Sequence, residues 1–244
     1  MVVASALLLV LASVRPGRAC AQEGAGALSI PEQLRDLPLV LVPASGPGST
    51  LAVMISGDGG WAAIDRAVAA TLAESGIPVV GLNALKYLWT RRTPDEAAQA
   101  LARVLRYYLA ASGRKEVLLV GYSLGADVLP FMAARLPAEL RRQVRLVALL
   151  GASQTVDFKF HVAEWFSSSR GRSDLLVQPA VDDLLRDTRV LCVYGAEETD
   201  TVCPALVSAR AEVVKLEGAH HFDGGYPALG RLILRALEQA RAAE

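Results

Sequence analysis

The segment Glu116-Val117-Leu118-Leu119-Val120-Gly121-Tyr122-Ser123-Leu124-Gly125-Ala126 constrains this chain more than any other. Its first half is apolar at consecutive positions. A strand that is apolar on both faces must be covered on both faces, and such strands belong to parallel sheets packed between layers of helices. Its second half sets a serine between two glycines where the strand gives way to the next helix. Glycine at 121 and 125 removes side chains where strand and helix crowd together.

The rest of the chain repeats the alternation. Strands are expected over 37–42, 51–56, 77–82, 116–122, 144–150, 188–194 and 211–216, and helices over 61–75, 94–112, 124–135 and 227–243. The helix over 94–112 shows punctuation at both ends: Thr93 as cap, Pro94 in the first position, Asp95 and Glu96 at the positive end of the dipole, and Gly113 as terminator. A length of 244 residues suits one α/β domain, and a hydrophobic share of 52% supplies a large core. The expected architecture is a mostly parallel central sheet with helices on both faces. One stretch breaks the rhythm. The residues between 150 and 188 exceed what a crossover helix needs and include Phe158, Phe160, His161, Trp165 and Phe166. A small cap over about 152–187 is the expectation, since long excursions in compact domains are often functional. His161 reads as a residue of that cap.

Charge excludes one class. Lys+Arg and Asp+Glu both number 25, with no basic block, so nothing marks a nucleic-acid binder. The apolar run from Ala4 to Val14 is too short to span a bilayer, which takes about 20 apolar residues. It suits a signal peptide over 1–21, with small residues at Gly17, Ala19 and Ala21, although no Lys or Arg precedes it. A polar linker over 22–36 then leads to the domain at 37–244. Export to the periplasm is the expectation. A lipid anchor at Cys20 is disfavoured by Arg18, which stands where a small residue is required. Cys192 and Cys203 are either a disulfide, in an oxidising compartment, or two buried thiols.

Strand, Gly-x-Ser-x-Gly and helix together make a nucleophile elbow, with Ser123 held in a strained turn at a helix N-terminus. A serine needs a base, and the base an orienting acid. The acid is expected in the loop from Ala196 to Pro204, where Asp200 is favoured for its place four residues before Pro204, and Glu197 and Glu198 are rivals. The base follows the last strand, where His220 and His221 stand side by side and spacing does not choose between them. The order serine, acid, histidine is that of the α/β-hydrolase fold. Oxyanion donors are expected from the N–H of Leu124 and from Asp58, or a neighbour, in the loop Ser56-Gly57-Asp58-Gly59-Gly60-Trp61. No metal or cofactor is called for.

Several of these stretches together resemble the bacterial virulence protein family typified by VirJ and the C-terminal half of AcvB. They are the Ser56–Trp61 loop, Leu85-Lys86-Tyr87-Leu88-Trp89 with Arg92-Thr93-Pro94-Asp95, and the elbow continued through Asp127-Val128-Leu129-Pro130-Phe131. Tyr194-Gly195 through Asp200 to Cys203-Pro204, and Gly218 to Tyr226, complete the set. The resemblance runs from about Leu51 to the end and is to the short VirJ form. It implies a periplasmic serine hydrolase acting on aminoacylated phosphatidylglycerol, chiefly the lysyl ester, at the membrane surface. It also implies a link to secretion-system proteins. An aminoacyl ester carries an ammonium beside the scissile carbonyl, and Asp58 and Asp127 are the candidate carboxylates to receive it. Asp127 has an alternative role in holding loop backbone. Trp89 is assigned to the substrate site and Tyr87 to the core. Two rival readings are a general carboxylesterase or thioesterase, and a non-catalytic periplasmic factor for secretion.

Overall fold

The computed structural model describes residues 29–159 and 175–243. Its centre is a seven-stranded sheet. In chain order the strands are β1 (Leu39–Val42), β2 (Thr50–Ile55), β3 (Val79–Leu82), β4 (Glu116–Tyr122), β5 (Val144–Leu150), β8 (Arg189–Gly195) and β9 (Ala211–Leu216). Their spatial order is β1-β3-β2-β4-β5-β8-β9. All pairings are parallel except β1 with β3. The carboxyl ends of β2, β3, β4, β5, β8 and β9 therefore share one edge, where ligands of such sheets bind.

Side chains of β4 alternate between two cores. Leu118 and Val120 pack with Ile64, Val68 and Leu72 of α1 (Ala63–Glu74) and Ile233 and Leu237 of α7 (Tyr226–Ala242). Val117 and Leu119 pack with Leu101 and Leu105 of α3 (Pro94–Ser112) and Leu129 of α4 (Leu124–Ala134). The continuous apolar strand is covered on both faces, as its composition requires. Helix α3 begins and ends as its sequence reads. Thr93 Oγ1 accepts from Glu96 N at 3.1 Å, the Glu96 carboxylate accepts from Thr93 N at 2.7 Å, and Gly113 closes the helix at φ 67°. Two single-turn helices, α2 (Ala84–Tyr87) and α5 (Ala138–Arg141), are additional.

The stretch expected as a polar linker is docked over its described part. Leu34 is buried, Tyr108 donates to the carbonyl of Ser29 at 3.0 Å, and Arg103 holds Asp36 at 2.8 Å. Apolar Leu34 and Leu37 supply the anchoring that the surrounding polar composition conceals. The leader and Cys20 lie outside the described residues.

The excursion after β5 opens with β6 (Thr155–Val156) and returns as β7 (Leu175–Leu176), paired antiparallel. Phe160, His161, Trp165 and Phe166 lie outside the described residues. Helix α6 (Val177–Leu184) follows at once and buries Val177, Val181 and Leu184 in the same core as α4. Residues 177–184 thus belong to the helical layer on that face of the sheet.

Candidate active site

Ser123 stands between the end of β4 and the start of α4, half-buried, at φ 51° and ψ −124°. Such a backbone in a residue other than glycine costs about 1–3 kcal/mol and persists only where the surroundings impose it. Here they do. A Cβ on Gly121 would lie 2.5 Å from the Gly125 carbonyl oxygen, and one on Gly125 would lie 2.2 Å from that of Ile55. Only glycine at both positions lets the helix start this close to the sheet. Ser123 N donates to the Leu150 carbonyl at 2.9 Å, and the Ser123 carbonyl accepts from Ala126 N and Asp127 N at 2.7 and 3.0 Å.

The loop after β2 lies against the serine. A Cβ on Gly57 would be 3.2 Å from the Ser123 Cβ, so the loop backbone approaches the serine closely. Gly60 N closes a turn onto the Gly57 carbonyl at 3.1 Å, with Gly60 at φ 74°. Beyond the turn, the buried carboxylate of Asp65 accepts from Ala62 N at 2.9 Å, and burial raises its pKa to about 6. Gly57, just before Asp58, is the residue of this loop that lies against Ser123, and Leu124 opens α4 directly after it.

The imidazole of His220 is held from two sides. Its Nδ1 meets Glu198 Oε1 at 2.6 Å. A Cβ on Gly151 would come within 2.8 Å of its Cε1, so the ring rests on bare backbone at the end of β5. Gly151 follows Leu150, whose carbonyl anchors Ser123. Two adjacent residues of one strand end thus bring elbow and imidazole together. The bond to Glu198 raises the His220 pKa against the opposing effect of burial. Burial pushes the Glu198 carboxyl up, but bonds from His220 and Gly195 N outweigh it and hold the carboxyl below its ordinary range. With Nδ1–H assigned to Glu198, Nε2 carries the lone pair.

This pairing departs from the expected acid. Asp200 is exposed, and its Oδ1 accepts from Gln154 N at 3.4 Å. Glu198 wins because its backbone N–H is still bonded to the Gly195 carbonyl at 3.0 Å, while its carboxylate takes the Gly195 N–H. That tight turn at the strand end aims the side chain across to the next strand's loop. Glu197 is exposed. His221 has a different partner: its Nδ1 meets the Tyr122 hydroxyl at 2.8 Å.

Asp127 is buried on the first turn of α4, and its Oδ1 accepts from Ser153 N at 2.7 Å. Burial pushes its pKa up to about 8, against the pull of the Ser153 bonds and the His220 charge. Backbone anchoring, the alternative in the sequence reading, is the contact made. Tyr87 is buried, as expected, whereas Trp89 is 62% exposed. The loop carrying Trp89 is joined to the excursion by Arg92 N donating to the Phe158 carbonyl at 2.9 Å and by Arg91 on Asp157 at 2.7 Å. Cys192 and Cys203 form a disulfide with Cα atoms 5.5 Å apart, tying β8 to the far side of the loop that carries Glu198. Among the described residues, no group of three or more His, Cys, Asp and Glu side chains is placed to hold a metal ion. No described helix is long and apolar enough to cross a membrane.

Two residues escaped the sequence reading: Gly151, the seat of His220, and Tyr122, the partner of His221. Neither carries a local signal beyond being a glycine at a strand end and a variable position of the elbow.

The same architecture recurs in solved structures. Est1E from Butyrivibrio proteoclasticus superposes with a TM-score of 0.60 at 17% identity, over 84% of this chain and 94% of that one. YbtT, a type II thioesterase from the yersiniabactin NRPS/PKS biosynthetic pathway, gives 0.56 at 17% identity over 83% and 98%. An alpha-beta serine hydrolase homologue from Coxiella burnetii gives 0.56 at 17% identity over 81% and 89%. At such identity the likeness establishes the fold, which is the α/β-hydrolase fold. No individually curated protein matches the chain. The family model described as bacterial virulence protein (VirJ) matches residues 49–241, nearly the whole described domain, and the chain belongs to that family.

Proposed function

We propose that this protein is a periplasmic serine hydrolase that cleaves the aminoacyl ester of aminoacylated phosphatidylglycerol, with Ser123 as nucleophile, His220 as base and Glu198 as the acid that orients it. The observation that carries the reading is the Glu198–His220 pair at 2.6 Å, seated on Gly151 beside the strained elbow. Ser123 Oγ attacks the ester carbonyl while His220 Nε2 takes its proton. The oxyanion faces the N–H groups of Leu124 and Asp58. Collapse breaks the carbonyl–oxygen bond, and His220 returns the proton to the glycerol oxygen, releasing phosphatidylglycerol. Water then attacks the aminoacyl-serine by the same route and frees the amino acid.

The charge around the site supports a cationic acyl group. Asp58 acts on the His220 charge, whereas Asp127, with its pKa of about 8, holds its proton at neutral pH. Half-buried Asp58 follows Gly57, whose backbone lies against Ser123, and that place makes it the carboxylate to receive the substrate ammonium. The Cys192–Cys203 disulfide supports a periplasmic address, since such bonds persist in oxidising compartments.

The test offers purified protein lysyl- and alanyl-phosphatidylglycerol in mixed micelles and measures released amino acid. Release that Ser123→Ala abolishes supports the reading. Turnover of a short aryl ester with no release from either lipid removes the lipid substrate and leaves a general esterase. Turnover of neither removes the hydrolase. Asp58→Asn is expected to weaken turnover of the aminoacyl ester more than that of a neutral acyl ester.

A further inference from the structure

The mechanism above uses one of two adjacent histidines, and the other is bound to the residue that precedes the nucleophile. Tyr122 is buried between three loops. Its backbone is the end of β4 at the elbow. A Cβ on Gly57 would lie 3.2 Å from its ring, so the oxyanion loop rests on it. On its other side the ring stacks on His220, with centroids 5.5 Å apart and planes at 29°. Its hydroxyl reaches His221 Nδ1 at 2.8 Å and donates to the His220 carbonyl at 3.5 Å. Burial, reinforced by the charges of Asp65, Asp58 and Glu198, keeps that hydroxyl protonated.

The base needs such support. It follows β9, an edge strand with a neighbour on one side only. Its loop bends through Gly218 at φ 85°, Phe222 at φ 47° and Asp223 at φ 48°, and the His220 side chain is 34% exposed. Glu198 grips Nδ1 and Gly151 backs the adjoining Cε1, both on one edge of the ring, which leaves the face of the ring for another group to hold. The stacked tyrosine holds that face, provided the tyrosine is itself fixed.

We propose that Tyr122 and His221 form a latch that positions His220. The hydroxyl–imidazole bond joins the histidine loop to the elbow, so that the base and the nucleophile move as one body. This rests on the reading of His220 as base. It accounts for the paired histidines: the first takes the proton, and the second holds the loop that carries the first. Both are positioning residues, since neither His221 nor the Tyr122 hydroxyl is asked to touch the reacting atoms.

The test uses Tyr122→Phe, which deletes the hydroxyl and keeps the stacked ring, together with His221→Ala, the double variant and His221→Asn, whose side-chain oxygen can stand in for Nδ1. On a soluble aryl ester each single variant is expected to lose about tenfold in kcat, with KM within about twofold, as a slightly misplaced base would cause. The double variant is expected to lose no more than Tyr122→Phe, because the His221 Nδ1 bond ends on the hydroxyl that Tyr122→Phe already removes. His221→Asn is expected to recover most of the loss. Wild-type kcat in Tyr122→Phe, or losses that multiply in the double variant, overturns the latch. Nitrogen-15 NMR of the histidine rings separates this proposal from the hydrolase reading. His220 is faced by Glu198, Asp127 and Asp58. A ring that swings off Glu198 titrates closer to an ordinary histidine, so its midpoint is expected to fall in Tyr122→Phe. An unchanged midpoint overturns the latch whether or not any ester is turned over.

Discussion

Glu198 Oε1 meets His220 Nδ1 at 2.6 Å across the gap between two neighbouring strands, β8 and β9. The contact closes a chain of support that starts at Ser123, passes through the end of β5 and returns through the imidazole. Replacing the acid by its amide keeps the shape and removes the charge that stabilises the imidazolium. Glu198→Gln is expected to lower kcat on a soluble ester by roughly 10²–10⁴-fold, whereas Asp200→Asn stays within about threefold of wild type. Steady-state kinetics on both variants checks this, and the reverse ranking returns the acid role to Asp200.

The pH profile follows from the same pair. The base works only when neutral, and Glu198 raises the His220 pKa above the ordinary 6.5. Activity is therefore expected to climb with pH through a midpoint above that value. In Glu198→Gln the main raising influence is gone, so the residual activity climbs at lower pH. A kcat/KM profile from pH 5 to 9 for both proteins reads the two limbs.

Gly151 is the seat of the imidazole. A methyl group there would sit 2.8 Å from His220 Cε1, at a backbone φ of 63°. Gly151→Ala is expected to push the ring aside and cost about 100-fold in kcat, with the far-ultraviolet circular dichroism unchanged. Wild-type turnover in this variant contradicts the described placement of His220.

The disulfide closes a short loop, with its cysteines separated by 11 positions. Chain-entropy arguments assign a loop of that length about 3 kcal/mol. The Cys192→Ser, Cys203→Ser double variant is expected to lose roughly that much in urea unfolding. Dithiothreitol should destabilise the wild type and leave the variant unaffected.

Asp127 makes stability depend on pH in the direction opposite to an ordinary carboxylate. Its folded pKa of about 8 lies above the unfolded value of 3.8, so the folded state holds its proton more tightly. That contribution is fully present below the unfolded pKa and disappears as pH rises through the folded one. Asp127→Asn has no proton to lose and keeps an oxygen for Ser153 N. It is expected to match wild-type thermal stability near pH 4 and to exceed it increasingly as the pH rises to 9. Asp127→Ala, which leaves that N–H without its oxygen, should be less stable at both.

By itself, the sequence determined the sheet and the strained turn that carries Ser123. Both are local matters. An apolar run that never alternates has to be buried on two faces, and glycines flanking Ser123 leave one steric solution, so reading contiguous residues suffices. The disulfide stood open because a spacing of two cysteines does not say where their Cα atoms lie. Only the tertiary structure decided which carboxylate meets which histidine. Glu197, Glu198 and Asp200 are equivalent carboxylates in one loop, and what separates them is a turn bond to Gly195 that aims Glu198 alone across to the next strand. His220 and His221 are adjacent and chemically identical. One finds the bare backbone of Gly151 and the other the hydroxyl of Tyr122, and both surfaces come from distant parts of the chain that only packing brings within reach.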